Sequence, residues 1–330
     1  MNKPKIPFVG LHAHSVAGSM FDALGYPQEH MDFAYDNGMS ALALTDHGNQ
    51  NGLAYQVLHA KKMREEGKDF KPIFGVEAYF LPSIANWRED YEEHKRTSKS
   101  KAALKTTQSG ATVEDESSKS KLKSALNKRR HLILLAQSQE GLKNIFKIIS
   151  NSYKKENFYR YPRVDYAALK KYNKGVIAAS ACLGGVYAGD YWENRANGNE
   201  AVLEAMRKTT RKMQSIFGDR WYGELQWNNI PEQHDLNKNI IQMHYEYGIE
   251  LISTADSHYY SPDAWKDREL YKRLGWLGKG RPEYMSEELP ENVEDIGYEL
   301  YPKNGDQMWE SYRSTLDQPE IRTFMMMIWF

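Results

Sequence analysis

The chain has a single cysteine, Cys182, among its 330 residues. One thiol cannot close an internal disulfide, so a reducing cytoplasm is the expected setting. Long apolar runs are missing too. No stretch approaches the ~18 residues of a membrane helix, and the opening MNKPKIPFVGLHAHS lacks the apolar centre of a secretory leader. Neither charge is in excess: 44 basic residues balance 44 acidic ones. That excludes a strongly basic coat and leaves any nucleic-acid contact to a local patch. What is present is ordinary globular composition, 41% hydrophobic and 27% charged, which excludes wholesale disorder. At roughly 100–200 residues per domain, the length fits two domains or one barrel-sized domain with additions.

Seven short β-like runs recur along the chain, at 8–11 (FVGL), 40–45 (SALALT), 72–80 (PIFGVEAYF), 132–136 (LILLA), 175–180 (GVIAAS), 221–226 (WYGELQ) and 250–254 (ELIST). Several are almost wholly apolar, as strands covered on both faces are. Helical spacing fills most of the gaps, for example Leu142, Ile145, Phe146, Ile149 and Tyr153, or Leu236, Ile240, Met243 and Tyr247 before Gly248. The alternation predicts α/β architecture with a parallel sheet, and seven such units point to a barrel. Residues 92–130 break the pattern with eleven Lys/Arg, five acids and few large apolar side chains. They read as a flexible basic insertion, either a solvated excursion or an arm for a nucleic-acid backbone. Residues 278–330 have no strong period. An edge strand at 298–301 (YELY) and a short helix at 307–312 are expected there, ahead of the apolar stretch 324–330 (FMMMIWF).

Chemistry-bearing residues gather at the edges of these runs. His12 and His14 follow the first as LHAHS, at i, i+2, which an extended backbone points to one side. Asp46 and His47 follow the second (TDHGN), Glu77 lies in the third (GVEAY), Cys182 follows the fifth (SACLGG), and Asp256 and His258 follow the seventh (TADSHY). Strand C-termini of parallel α/β folds converge on one end, where active sites form. Any one of these residues reads as ordinary structure. Together, on successive strand ends, imidazoles, carboxylates and a thiolate point to zinc, manganese or iron. His30, His59, His94, His234 and His244 lie on helical patterns or in the insertion and are assigned no chemistry.

At these motifs, with RHLILLA, the sequence resembles the PHP (polymerase and histidinol phosphatase) domain. The variant is the one found at the N-terminus of bacterial DNA polymerase III α subunits. KPIFGVEAYF, HLILLAQSQEGLKNIFKIISNSY, FYRYPRVD and YELYPKNGDQMW extend the likeness over about 5–312, apart from 83–129. The resemblance implies a distorted seven-stranded (β/α)7 barrel over 1–277, with a long insertion at about 92–130 and a short C-terminal extension over 278–330. It also implies three divalent ions held by nine ligands. The first ion takes His12, His14, Glu77 and Asp256. The second shares Glu77 and adds His131 and Cys182. The third takes Asp22, His47 and His258. Asp22 and His131 come from the resemblance alone, and His131 opens its strand where a parallel barrel would need it at the close.

The activity so implied is metal-dependent phosphodiester hydrolysis, foremost 3′→5′ exonuclease action on single-stranded DNA ends. Asp46, Glu77 and Asp256 are the catalytic candidates. Asp46 would orient His47 or handle protons. Arg160 and Arg163, with Phe158, Tyr159 and Tyr161, are candidates for gripping the strand, against the plainer reading of FYRYPR as a rigid surface turn. A phosphomonoesterase of histidinol-phosphatase type is the alternative within enzymes. A silent, metal-stabilised module docking a separate polymerase core or replisome subunit is the alternative outside them. No membrane partner is expected, and the setting is a bacterial or phage-infected bacterial cell. No Asp-x-Asp pair in an apolar strand follows, so polymerisation is not expected of these residues.

Overall fold

The structure is a computed structural model that describes residues 4–105, 126–278, 288–293 and 297–316. In chain order the elements are α1 (Pro27–Asp36), β1 (Ala41–Leu44), α2 (Leu53–Glu65), β2 (Lys71–Phe80), α3 (Ile84–Lys105), β3 (Arg130–Ala136) and α4 (Gln139–Ser152). The two-residue strands β4 (Phe158–Tyr159) and β5 (Tyr161–Pro162) follow, then α5 (Tyr166–Tyr172), β6 (Val176–Ala179), α6 (Val186–Asn194) and α7 (Asn199–Phe217). The last are β7 (Trp221–Leu225), α8 (Pro231–Tyr247), β8 (Glu250–Ser253), α9 (Trp265–Gly278) and α10 (Gly305–Leu316). Local chemistry explains several boundaries. Pro231 opens α8 where its missing N–H is not needed, and Gly248 closes it in the left-handed conformation at φ 64°. Ser138 and Asp165 cap α4 and α5 by accepting from the backbone N–H of Gly141 and Ala168.

Six strands make one curled sheet in the order β1-β2-β3-β6-β7-β8. The expected all-parallel sheet is corrected at β3, which runs antiparallel to both β2 and β6. The reason lies in the excursion between β2 and β3. Phe80, the last residue of β2, pairs with Arg130, the first of β3. The chain therefore leaves and re-enters at the same end of the sheet instead of crossing over.

Only six of the seven expected runs are strands. The run at 8–11 forms no ladder. Gly10 bridges Leu42 of β1, and Ala13 bridges Ser257 just beyond β8, each as a single parallel pair. This segment is thereby hydrogen-bonded to both edges of the curled sheet, with Ala43 N donating to Gly10 O and His14 N to Ser257 O, both at 2.7 Å.

Alternation along the strands separates two faces. Val76, Ala78, Phe80, Leu132 and Leu134 bury themselves in the large cluster beneath α4–α8. Ile133, Leu135, Ala43 and Ala179 fill the opposite face. Both faces of β3 are thus covered, as its continuous apolar run requires. Glu77, paired with Ile133, and Tyr79, paired with His131, belong to that second face.

The insertion also needs correcting. Its first part is helical, since α3 runs to Lys105, and Ile84, Trp87 and Leu126 form a small buried cluster. Trp87 Nε1 donates to Leu126 O at 3.1 Å. Residues 106–125 lie outside the described residues. The expected strand at 298–301 is instead irregular chain outside any ladder, with Leu300 O accepting from His258 N and Tyr259 N. The helix expected at 307–312 is longer, Gly305–Leu316, and 324–330 lie outside the described residues. Among the described residues no helix is long and apolar enough to cross a membrane.

Candidate metal centre

The reversed strand places His131. Because β3 is antiparallel, its first residues stand beside the last residues of β2, and Tyr79 pairs with His131. A residue that opens its strand thus reaches the end where the parallel strands close. There it meets His47, Cys182, Asp256 and His258 from the loops after β1, β6 and β8. The backbone is bent to bring them in. Asp256 itself, Phe21 before Asp22 and Ala181 before Cys182 all hold positive φ, at 48°, 63° and 61°. Such a conformation costs a non-glycine residue about 1–3 kcal/mol and persists only where the surroundings enforce it.

Glu77 is the hub, wholly buried. Its Oε2 lies 2.7 Å from His12 Nε2 and 3.1 Å from His14 Nε2. Its Oε1 contacts His131 Nδ1 and stands 3.5 Å from His47 Nδ1. Asp256 Oδ1 closes the first group, 3.0 Å from His12 Nε2 and 3.2 Å from His14 Nε2. Three sets each offer donor atoms within 4.8 Å of one another: His12, His14, Glu77 and Asp256; His47, Glu77 and His131; His14, His47 and His258. Asp22 Oδ2 joins the third, 3.0 Å from His47 Nε2 and 3.6 Å from His258 Nε2. Cys182 stands one step out, its Sγ 3.6 Å from His131 Nδ1. All nine expected ligands are therefore in one place.

The chemistry of this donor set fits metal ions. His12 Nδ1 donates to Glu224 Oε1 at 2.6 Å, which leaves a bare lone pair on Nε2. That lone pair faces carboxylate oxygens and the Nε2 of His14, 3.0 Å away, so a proton or a cation must lie among them. His47 Nδ1, Glu77 Oε1 and Asp256 Oδ1 are buried without a hydrogen bond, and a buried polar atom is stable only when something satisfies it. Titration behaviour agrees. Burial opposes a charged His12, yet Asp256, Glu224 and Glu77 overcome it and hold its pKa well above the usual value. Burial likewise opposes a charged Glu77, and His131, His47 and His12 pull its pKa well below the carboxylate range. Burial, Asp256 and Glu77 push the Cys182 thiol up. The carboxylates thus demand positive charge, which bound ions supply without protonating the imidazoles.

Two expected roles are corrected. Asp46 does not orient His47: its Oδ1 accepts from Ser15 N and Ser19 Oγ, and its Oδ2 from Ser15 Oγ, at 2.7–2.9 Å. It braces the 15–19 turn, and Asp22 takes the His47 contact. Arg163 cannot reach a phosphate. It is fully buried and donates to the carbonyls of Tyr159, Tyr161 and Leu126, with burial and nearby Arg129 pushing its pKa down to about 10. Arg160 is exposed on the β4–β5 turn at φ 61°, 5.6 Å over the Tyr159 ring. Tyr161 lines the cavity in front of the cluster.

Three residues escaped the sequence reading. Glu224, next to the last residue of β7, also accepts from Thr254 Oγ1 at 2.6 Å and Gln226 Nε2 at 3.1 Å; a lone acid inside a buried strand was its signal. Arg268 holds Asp22 through its carbonyl at 2.8 Å and its Oδ1 at 2.9 Å. Arg129 lines the cavity, which has a volume of about 750 Å³.

Comparison with known proteins bears on this geometry. The family profile of the PHP domain matches residues 10–228. DNA polymerase III subunit alpha of Aquifex aeolicus is 37% identical over 256 residues, 78% of this chain and 18% of that protein. The Borreliella burgdorferi subunit is 31% identical over 252 residues, 76% of this chain and 18% of that protein. This chain therefore spans under a fifth of the length of these relatives. Among solved structures, an amidohydrolase from Chromobacterium violaceum aligns over 80% of this chain and 96% of its own, at a TM-score of 0.38 and 15% identity.

Proposed function

This chain belongs to the PHP domain family, and on that premise we propose that it hydrolyses phosphodiester bonds with bound divalent ions, as a 3′→5′ exonuclease on single-stranded DNA. The observation that carries the reading is Glu77. One buried carboxylate turns Oε2 to His12 and His14, and Oε1 to His131 and His47. A carboxylate shared in this way is what two neighbouring ions need in order to clamp one phosphate. His12, His14, Glu77 and Asp256 would hold the first ion, Glu77, His131 and Cys182 the second, and Asp22, His47 and His258 the third. Bound there, the ions supply Lewis acidity to the phosphate and lower the pKa of water.

The protein's own groups do the rest. Glu224 fixes the tautomer of His12 so that Nε2 faces the centre. Arg268 holds the half-exposed Asp22 in place. Cys182, whose thiol pKa is raised by burial, Asp256 and Glu77, would give up its proton on holding an ion, so that binding there would release acid. Aromatic residues such as Tyr79, Tyr161 and Trp276 line the cavity and suit the unstacked bases of a single strand. The curated relatives bear the name of a DNA polymerase subunit, which supports DNA as substrate and a polymerase core or other replisome subunit as partner.

The test is to strip the protein of metal, add back Mn²⁺, Zn²⁺ or Fe²⁺, and supply a 5′-labelled single-stranded oligonucleotide. The expected product is a ladder shortened from the 3′ end. Hydrolysis of p-nitrophenyl phosphate alone would replace the reading with a phosphomonoesterase. No hydrolysis under any metal would leave a structural module.

A further inference from the structure

Among the described residues three cations line the cavity in front of the cluster: Arg129, Arg268 and Lys272. Two are already spent on acids of the protein. Arg268 pairs with Asp22 at 2.9 Å, and Lys272 with Glu269 at 2.7 Å. Arg129 makes no ion pair among the described residues. Its one hydrogen bond there runs from Nη1 to Asn127 O at 3.3 Å, and its Nε is buried without a partner. Yet the guanidinium is held firmly, 3.8 Å over the ring of Tyr161 and 5.3 Å from that of Tyr79. Stacking of this kind pre-orders the planar fork and leaves its edge free for an oxyanion.

Position narrows which oxyanion. The Tyr79 ring lies 6.0 Å from the His47 ring and 5.5 Å from the His131 ring. The same ring thus neighbours the Arg129 guanidinium and two imidazoles of the candidate cluster. We propose that Arg129 grips the phosphate next to the scissile one, making it the residue by which this site takes an oligonucleotide strand in preference to a small phosphate ester. The inference rests on the function proposed above and adds the substrate contact to it. A cation with no ion pair among the described residues, beside a candidate metal cluster, attracts a polyanion, and a second phosphate is the feature that a strand has and a monoester lacks.

The experiment compares wild type with Arg129→Gln and Arg129→Lys. Binding of a fluorescein-labelled single-stranded oligonucleotide to metal-stripped protein is followed by anisotropy across salt concentrations. Arg129→Gln is expected to weaken binding about fivefold and to flatten the salt dependence by about one counterion. Arg129→Lys should keep the salt slope and lose about threefold, because a point charge does not replace the stacked fork. With metal restored, KM for the oligonucleotide should rise about fivefold in Arg129→Gln at nearly unchanged kcat, with hydrolysis of thymidine 5′-p-nitrophenyl phosphate untouched. If Arg129→Gln does not fold, Arg129→Lys carries the affinity and KM comparisons, where an unchanged affinity would overturn the inference. Unchanged affinity and salt slope would overturn the inference, and so would equal losses on both substrates. Failure of wild type to hydrolyse either substrate would sink the proposed function, while the anisotropy arm would still decide the role of Arg129.

Discussion

Glu224 and His12, 212 residues apart in sequence, meet through a 2.6 Å hydrogen bond from imidazole Nδ1 to carboxylate Oε1, with both side chains fully buried. The contact decides which nitrogen of His12 faces the cluster. Glu224→Gln keeps the shape, but its amide can donate to Nδ1 and favour the tautomer with a proton on Nε2. Metal affinity should fall about 10–100-fold, as it does when such supporting partners are lost. Competition against a chelator checks this, and an unchanged affinity would remove Glu224 from the account.

Asp256 sits at φ 48°, a conformation that asparagine tolerates better than most residues. Asp256→Asn should therefore keep the backbone and lose the charge. The expected outcome is a fall in kcat of at least about a hundredfold with single-strand affinity nearly unchanged. Equal rates in variant and wild type would assign the activity to a contaminant.

Arg163 is the residue whose role moved most. Arg163→Ala leaves the carbonyls of Leu126, Tyr159 and Tyr161 without their donor. The expected loss is at least about 3 kcal/mol of stability by urea unfolding. The salt dependence of DNA binding should not change. A stable variant with weakened DNA binding would restore the strand-gripping role.

His30 gives a pH signature of its own. It is buried, donates from Nε2 to Leu24 O at 3.0 Å, and burial above all pushes its pKa down to about 4. A folded pKa below the unfolded value of about 6.5 means that the unfolded chain takes the proton first. This contribution is present above about pH 6.5 and is lost as the pH falls towards 4. Wild type should therefore lose about 2 kcal/mol more than His30→Gln between pH 7.5 and pH 5, with chelator present throughout. Parallel pH profiles for the two proteins would contradict the assignment.

The strands and the candidate ligands stood out in the sequence for different reasons. Continuous apolar runs such as LILLA marked β3 because burial on both faces leaves no polar alternation. The i, i+2 pairs His12–His14 and Asp256–His258 stood out because extended backbone turns both side chains one way. Strand direction was not legible. Local pattern is the same for parallel and antiparallel neighbours, so only the pairing of Phe80 with Arg130 explains how His131 joins the site. Arg163 misled because a guanidinium between aromatic residues looks alike whether it serves a phosphate or three backbone carbonyls. Asp46 misled because adjacency in sequence to His47 says nothing about where a carboxylate turns, and here it turns to Ser15 and Ser19.

The shared carboxylate of Glu77 is the centre of the account, and metal stoichiometry measures it directly. Elemental analysis of protein purified without chelator and then saturated with Mn²⁺ or Zn²⁺ should find more than one tightly bound ion per chain. Glu77→Gln should lower that number. A wild-type protein that holds no ion after saturation would contradict it.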